Sequence, residues 1–261
     1  MTILSEIAAY TAERVELHKS EISLDRIKTL AFELPYGNGE RFYSAVSRPE
    51  MSFICEVKKA SPSKGVIDPV FDYMSIAQAY EAAGADAVSC LTEPKWFMGS
   101  DDIFREIRAG IKTPMLRKDF VVDEYQLYEA KLMGADCVLL ICALLSEEKV
   151  RKYLDICAAL GLAALVETHD EAEIASALRA GARMIGVNNR NLKDFSVDTG
   201  NSRRMRELVP DDVIFVSESG VKSAEDIAAL RASGVNAVLI GETLMKAPDK
   251  KAKLAELKGE K

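Results

Sequence analysis

The chain has 261 residues, of which 48% are hydrophobic, 29% charged and 7% aromatic. That composition suits a globular protein with a sizeable core and excludes disordered and fibrous classes. Its 34 Lys and Arg against 41 Asp and Glu give a formal net charge of −7, so no overall basic field favours nucleic acid or an anionic membrane.

The stretch from Met1 to Tyr10 carries Ser5 and Glu6 and lacks the basic and apolar regions of a secretory signal. No apolar run approaches the ~18 residues of a membrane span. Ile3 to Lys19 and Leu24 to Leu34 read as helices, Pro35 to Glu40 as a turn, and Phe42 to Val46 as a short third helix. No linker separates them from residues 51–261, which form the main body. Residues 1–50 are therefore expected to be a helical cap over one end of that body, within a single domain covering 1–261.

Eight short apolar runs come next: Phe53–Val57, Ala87–Leu91, Pro114–Leu116, Cys137–Cys142, Leu162–Val166, Met184–Val187, Val213–Val216 and Ala237–Ile240. Each is bounded by turn or cap residues, as strands buried on both faces are. Amphipathic stretches of helical length, such as Asp72–Ala83 and Ala224–Ala232, separate them. Gly84, Gly134, Gly181 and Gly234 recur at intervals of 50, 47 and 53 residues. Each is read as the left-handed residue that ends a helix just before a strand. Two βα units fit each spacing at about 25 residues per unit, so four such pairs, one for each glycine, make eight units. Alternating strands and helices predict a parallel sheet with right-handed crossovers. The absence of G-x-G-x-x-G after the first strand favours a closed (β/α)8 TIM barrel over an open doubly wound sheet. Lys246 to Lys261 reads as a charged closing helix.

The five cysteines are an odd number without C-x-x-C spacing, which argues against disulfides and zinc. A cytoplasmic setting is expected. His18 and His169 are too far apart in the chain to suggest a metal centre.

In such a barrel, chemistry belongs to the C-terminal strand ends. Alternation puts Ile54, Glu56 and Lys58 on one face of the first strand and Lys118 with Phe120 on one face beyond the third. Glu167 closes the fifth strand; Asn188 ends the sixth, with Arg190 two residues on. Opposite charges on a buried strand cost too much to be filler unless paired or used. Lysines beside carboxylates suit acid–base work on a carbonyl. The segments Val216–Ser223 and Ile240–Met245 run from strand ends into helical patterns, where free N–H groups favour an anion. Phosphate commonly sits at the seventh and eighth loops of this fold. Gly241 is expected to stay bare for close approach of that phosphate, with a positive φ as a further reason. Ser61-Pro-Ser-Lys-Gly reads as a mobile loop placing Ser61 and Lys64 over an anion. Trp96, Phe97 and Phe120 are candidates for the wall of a flat aromatic ligand.

Seven motifs in order resemble the indole-3-glycerol-phosphate synthase family. They are Glu56-Val-Lys-Lys-Ala-Ser-Pro-Ser-Lys-Gly, Leu91-Thr-Glu through Phe97-Met-Gly-Ser, Leu116-Arg-Lys-Asp-Phe, Leu165-Val-Glu, Gly186-Val-Asn-Asn-Arg-Asn-Leu, Ser217-Glu-Ser-Gly and Leu239-Ile-Gly-Glu. The resemblance spans essentially the whole chain, extension included. It implies conversion of 1-(2-carboxyphenylamino)-1-deoxyribulose 5-phosphate to indole-3-glycerol phosphate, carbon dioxide and water, in tryptophan biosynthesis, with no metal or organic cofactor.

By that resemblance Lys118 is the general acid at the substrate carbonyl. Lys58 lies by the anthranilate carboxylate and donates in the later dehydration. Glu167 is the acid–base group that also stabilises charge near the amine. Glu56 orients the lysines and Asn188 binds substrate. Ser61, Arg190 and Leu239 match substrate-binding positions, and Phe97, Phe120 and Leu139 line the ring. Ser219, Gly220, Gly241 and Glu242 present phosphate-binding amides. Glu242 stands where serine is frequent, so its side chain is expected to point away from the phosphate. Trp96 stands where other aromatics often occur. The implied partner is a phosphorylated small molecule, not nucleic acid or membrane. The chain is expected as a monomer or weak homo-oligomer that associates with neighbouring pathway enzymes. The rivals are another phosphosugar barrel, such as an isomerase, and a catalytically silent scaffold. The extension and the Lys58, Lys118 and Glu167 trio argue against the first. A silent relative would have lost some strand-end charges, which argues against the second.

Overall fold

The computed structural model describes residues 2–191 and 195–260. Leu192 of the fifth motif, with Met1 and Lys261 at the termini, lies outside the described residues. Strand β1 (Ser52–Val57) is followed by a small antiparallel hairpin of β2 (Ala60–Ser61) and β3 (Gly65–Val66). Then come β4 (Ala87–Leu91), β5 (Met115–Lys118), β6 (Cys137–Ile141), β7 (Ala163–Thr168), β8 (Met184–Asn188), β9 (Ile214–Glu218) and β10 (Ala237–Ile240). β1 and β4–β10 close into one parallel barrel, with β1 pairing both β4 and β10. This is the (β/α)8 architecture that the repeat predicts.

The helix ends explain the repeat. Asp72, Ser100, Ser146, Asp170 and Ser223 each cap an adjoining helix by accepting a backbone N–H. Gly84, Gly134, Gly181 and Gly234 have φ of 73°, 78°, 94° and 78° just past the helix ends. Four strands run further than their apolar runs, β8 among them with Asn188. Lys118, Glu167 with Thr168, and Ser217 with Glu218 all stay in the ladder. Glu218 is paired to both Asn188 and Leu239. The backbone ladder is indifferent to side-chain polarity, and at the barrel mouth polar residues face inward without ending the strand.

Two apolar shells result. Alternate strand residues such as Phe53, Cys55 and Val57 pack outward against the helices. Ile54, Leu116, Leu139, Leu165, Met184 and Val216 fill the interior. The extension comprises α1 (Ile3–Glu21), α2 (Leu24–Glu33) and α3 (Gly39–Val46). It reaches both ends of the barrel rather than one. Phe42, Tyr43 and Val46 of α3 join the interior shell. The Tyr43 hydroxyl accepts from the Ala164 N–H at the start of β7, which places α3 at the bottom. α1 instead docks at the mouth. Arg14 pairs with Asp119 at 2.6 Å just after β5, and the Tyr125 hydroxyl donates to the carbonyls of His18 and Ile22. His18, Asp101 and Glu129 gather nearby, but Arg117 ion-pairs both carboxylates, at 3.0 Å and 3.4 Å. The cluster is a half-buried charge network around the buried Arg117. Among the described residues no helix is long and apolar enough to cross a membrane.

Candidate active site

A cavity of about 460 Å³ opens at the C-terminal strand ends. All fifteen residues that the resemblance assigns to the site line it: Glu56, Lys58, Ser61, Phe97, Lys118, Phe120, Leu139, Glu167, Asn188, Arg190, Ser219, Gly220, Leu239, Gly241 and Glu242. Lys64 of the hairpin turn lines it as well, and so do Ile3, Leu4 and Ile7 of α1.

Its floor is a charge cluster. Lys58 hydrogen-bonds Glu56 on the same strand face. Lys118 lies 3.7 Å from Glu167 and 3.4 Å from Glu218. Burial disfavours the Lys118 ammonium, but Glu218, Glu167 and Glu56 outweigh it and hold the group well above its ordinary value. Burial likewise opposes ionisation of Glu167. Lys118, then His169 and Asn188, reverse that and keep the carboxyl well below the usual range. Glu56 is also lowered, with burial overcome by Lys58 and then Lys118. Glu218 goes the other way. Burial, added to repulsion from Glu167 and Glu56, beats the pull of Lys118 and raises its carboxyl. The cluster thus holds a firmly charged ammonium, two ionised carboxylates and one carboxyl pushed towards its neutral form.

Neighbouring loops aim the remaining groups. Asn188 Nδ2 donates to Glu167 Oε1 at 3.3 Å while its Oδ1 accepts from the Arg190 N–H at 3.0 Å. The Glu93 carboxylate accepts from the backbone N–H groups of Lys95, Trp96 and Phe97, which sets the loop after β4. Asp119 accepts from the Phe120 N–H. Phe97 and Phe120 then meet with ring centroids 5.8 Å apart and form the aromatic wall. Trp96 does not join them. It stacks edge-on against Tyr10 of α1 at 5.6 Å, with Lys95 over its ring. The neighbouring backbone turns its side chain from the cavity to the extension.

The anion segments lie side by side, tied by the Thr243 hydroxyl donating to the Val221 carbonyl at 2.6 Å. Ser219 and Gly220 have φ of 68° and 94°, a tight left-handed turn at the end of β9. Asn189 braces it by donating to Ser217 Oγ and to the Ser219 carbonyl. Two expectations are corrected here. Gly241 has φ −112°, so positive φ is not its reason. A Cβ there would sit 2.2 Å from Glu56 Oε1 and 2.9 Å from Lys58 Nζ, so the residue is bare to admit the Glu56–Lys58 pair. The Glu242 side chain does not point away from the cavity. It faces Lys246 at 2.7 Å, Lys64 at 3.6 Å and Arg190 at 3.8 Å, because three cations around one rim attract a carboxylate.

Sequence reasoning passed over Glu218 and His169. Glu218 was absorbed into a Ser-Glu-Ser-Gly loop, although alternation from Val216 would have put it on the inner face. His169 is likewise two residues beyond Glu167.

Residues 4–257 match the family profile described as indole-3-glycerol phosphate synthase. The chain is 55% identical over 257 residues to an indole-3-glycerol phosphate synthase of Ruminiclostridium cellulolyticum, covering 98% of this chain and 99% of that one. It is 52% identical over 256 residues to one from Endomicrobium trichonymphae, covering 98% and 99%. Among solved structures, a thiamine phosphate pyrophosphorylase from Pyrococcus furiosus superposes with TM-score 0.59 at 16% identity, covering 82% of this chain and 96% of that one. That likeness is one of barrel fold alone.

Proposed function

The chain belongs to the indole-3-glycerol phosphate synthase family, and from that premise we propose that its barrel mouth closes an indole ring on 1-(2-carboxyphenylamino)-1-deoxyribulose 5-phosphate with release of carbon dioxide and water. It is a carbon–carbon lyase acting on a phosphorylated substrate. The observation that carries the assignment of roles is the Lys118 ammonium held between Glu167 and Glu218 beneath an aromatic wall.

Ring closure needs an acid at the ketone, and Lys118 is held protonated to supply it. As the ring carbon bearing the carboxylate attacks, positive charge develops towards the amine, and ionised Glu167 faces it. Lys58 is placed for the anthranilate carboxylate and for the later loss of hydroxyl, with Glu56 fixing its direction. Asn188 and Arg190 hold the chain of the substrate; Ser61, Phe97, Phe120, Leu139 and Leu239 enclose the ring. The phosphate is assigned to the amides of Ser219, Gly220, Gly241 and Glu242, with Lys64 and Arg190 supplying positive charge. Glu242 partly offsets those cations. Binding energy from the distant phosphate brings the two reacting ends together, which an entropically demanding cyclisation requires. The departing carboxylate leaves as neutral carbon dioxide, so each turnover takes up one proton.

Five cysteines, all free thiols and four of them buried, support a reducing, cytoplasmic setting. The decisive test is incubation of purified protein with the carboxyphenylamino-ribulose phosphate. Indole-type absorbance or fluorescence should appear; its absence at high enzyme concentration would refute the reading.

A further inference from the structure

A second cavity, lined mainly by residues with polar side chains, adjoins the catalytic one. Asn188 and Arg190 line both, whereas Glu167 faces the first and His169 with Glu173 lines the second. The His169 ring forms part of the partition. Its Nε2 is 3.4 Å from Glu167 Oε1, and its Nδ1 is 3.1 Å from Glu173 Oε2. The same Glu173 oxygen accepts from the His169 backbone N–H at 2.8 Å, so ring and backbone are gripped by one carboxylate.

We propose that His169 is a positioning residue for Glu167: an imidazolium, clamped by Glu173, that keeps Glu167 charged and aimed into the cavity while the substrate reacts. The inference rests on the reaction assigned to the barrel mouth. Two carboxylates on the two ring nitrogens call for an N–H on each, and only the protonated ring has both. A neutral ring would aim a lone pair at one carboxylate. Burial pushes His169 down, but the carboxylates of Glu167 and Glu173 facing its two ring nitrogens raise it to about 10. Arg190, which lines both cavities, is the cation beside the partition, and it is itself turned to Glu242 and the Phe195 carbonyl; the other groups do not oppose the charge. Asp170 and Cys142 adjoin Glu173 and Glu167, Asp198 shares the second cavity, and Asn201 Nδ2 donates to the His169 carbonyl at 3.5 Å.

The need for a second cation comes from the chemistry. When Lys118 protonates the substrate carbonyl, an Nζ–H bond breaks, the proton goes to the oxygen and the electron pair stays on nitrogen. Lys118 is then neutral, and Glu167 loses a positive neighbour among two other buried carboxylates. That is the moment when positive charge near the substrate amine requires Glu167 ionised. His169 keeps it so.

Histidine-labelled protein provides a readout independent of activity, because the chain has only His18 and His169 and a His18→Gln variant assigns the signals. The His169 ring should remain imidazolium from pH 5 to 8.5, and Glu173→Gln should lower its midpoint by about one unit or more. In pH–rate profiles, His169→Gln should move the acid limb of kcat upwards by about one unit, roughly a tenfold loss at the acid end, with KM little changed. A His169 titration near 6.5, a midpoint unmoved by Glu173→Gln, or a wild-type acid limb in folded His169→Gln would each overturn the proposal. Should His169→Gln not fold, the Glu173→Gln midpoint decides. Wild-type protein inactive on the substrate would refute the assigned reaction instead, leaving the clamp to be judged by the ring signal.

Discussion

Three carboxylates converge on Lys118, and its worth therefore differs for catalysis and for stability. Replacing it with methionine keeps the volume of the stem but removes the proton and the charge. Turnover should fall by about 10²–10⁴-fold. The variant also leaves Glu56, Glu167 and Glu218 facing one another without the ammonium, an uncompensated burial that costs about 3 kcal/mol or more at neutral pH. Glu218 then rises further, and Glu167 and Glu56 lose a cation that holds them low, so the cost is smallest where they are protonated and grows as pH rises. Thermal melts from pH 4 to 7 should show the deficit against wild type widening with pH. A pH-independent deficit would mean that Lys118 does not compensate the cluster. Glu167→Gln tests the opposite partner by keeping shape and removing charge. It should lower kcat more than it raises KM, and the reverse pattern would make Glu167 a binding group. Lys118 and Glu167 were legible in the sequence because a charge on a buried strand demands an explanation. Glu218 was not, because flanking serines and a glycine disguise a strand end as a turn.

At the scale of elements, adjacent strands must leave room for one another's polar side chains. Gly186 on β8 does this for Glu218 on β9: an added Cβ would lie 2.2 Å from Glu218 Oε1 and 3.1 Å from a Leu165 methyl. Gly186→Ala should therefore turn Glu218 away from Lys118 and lower kcat at least tenfold, with the barrel still folded by circular dichroism. Gly181→Ala is the matched control. There φ is 94° and nothing lies within 4 Å of the added Cβ, so the change strains a helix end by about 1–2 kcal/mol and should leave kcat alone. Equal activity in the two variants would deny Glu218 any part in turnover. The strand and helix order was readable from caps and C-terminal glycines, since both are local chemistry. Strand lengths at the mouth were underestimated wherever Lys118, Glu167, Asn188 or Ser217 broke an apolar run. The reason for Gly241 was hidden because the Glu56–Lys58 pair that needs the space comes from the other end of the chain.

For the whole molecule, the extension joins the two ends of the barrel, and those ends have different tasks. No local pattern in residues 1–50 could show this, because the partners of α1 and α3 are brought together only by closure. Phe42 is fully buried at the bottom among interior residues. Phe42→Ala should cost about 3–5 kcal/mol in chemical denaturation while leaving kcat and KM of the folded enzyme unchanged. Leu4 sits at the opposite end, half-buried in α1, and lines both the catalytic and the second cavity. Leu4→Ala should leave the melting temperature nearly unchanged, since α1 is still anchored by Arg14 on Asp119 and by Tyr125 on the carbonyls of His18 and Ile22. The substitution opens the wall above the substrate, so the loss should appear in KM, several-fold for about 1 kcal/mol of lost apolar contact. Steady-state kinetics and denaturant titration on the two variants side by side distinguish the ends. If Leu4→Ala destabilised the protein without touching KM, α1 would be a brace for the barrel and not part of the wall that closes over its substrate.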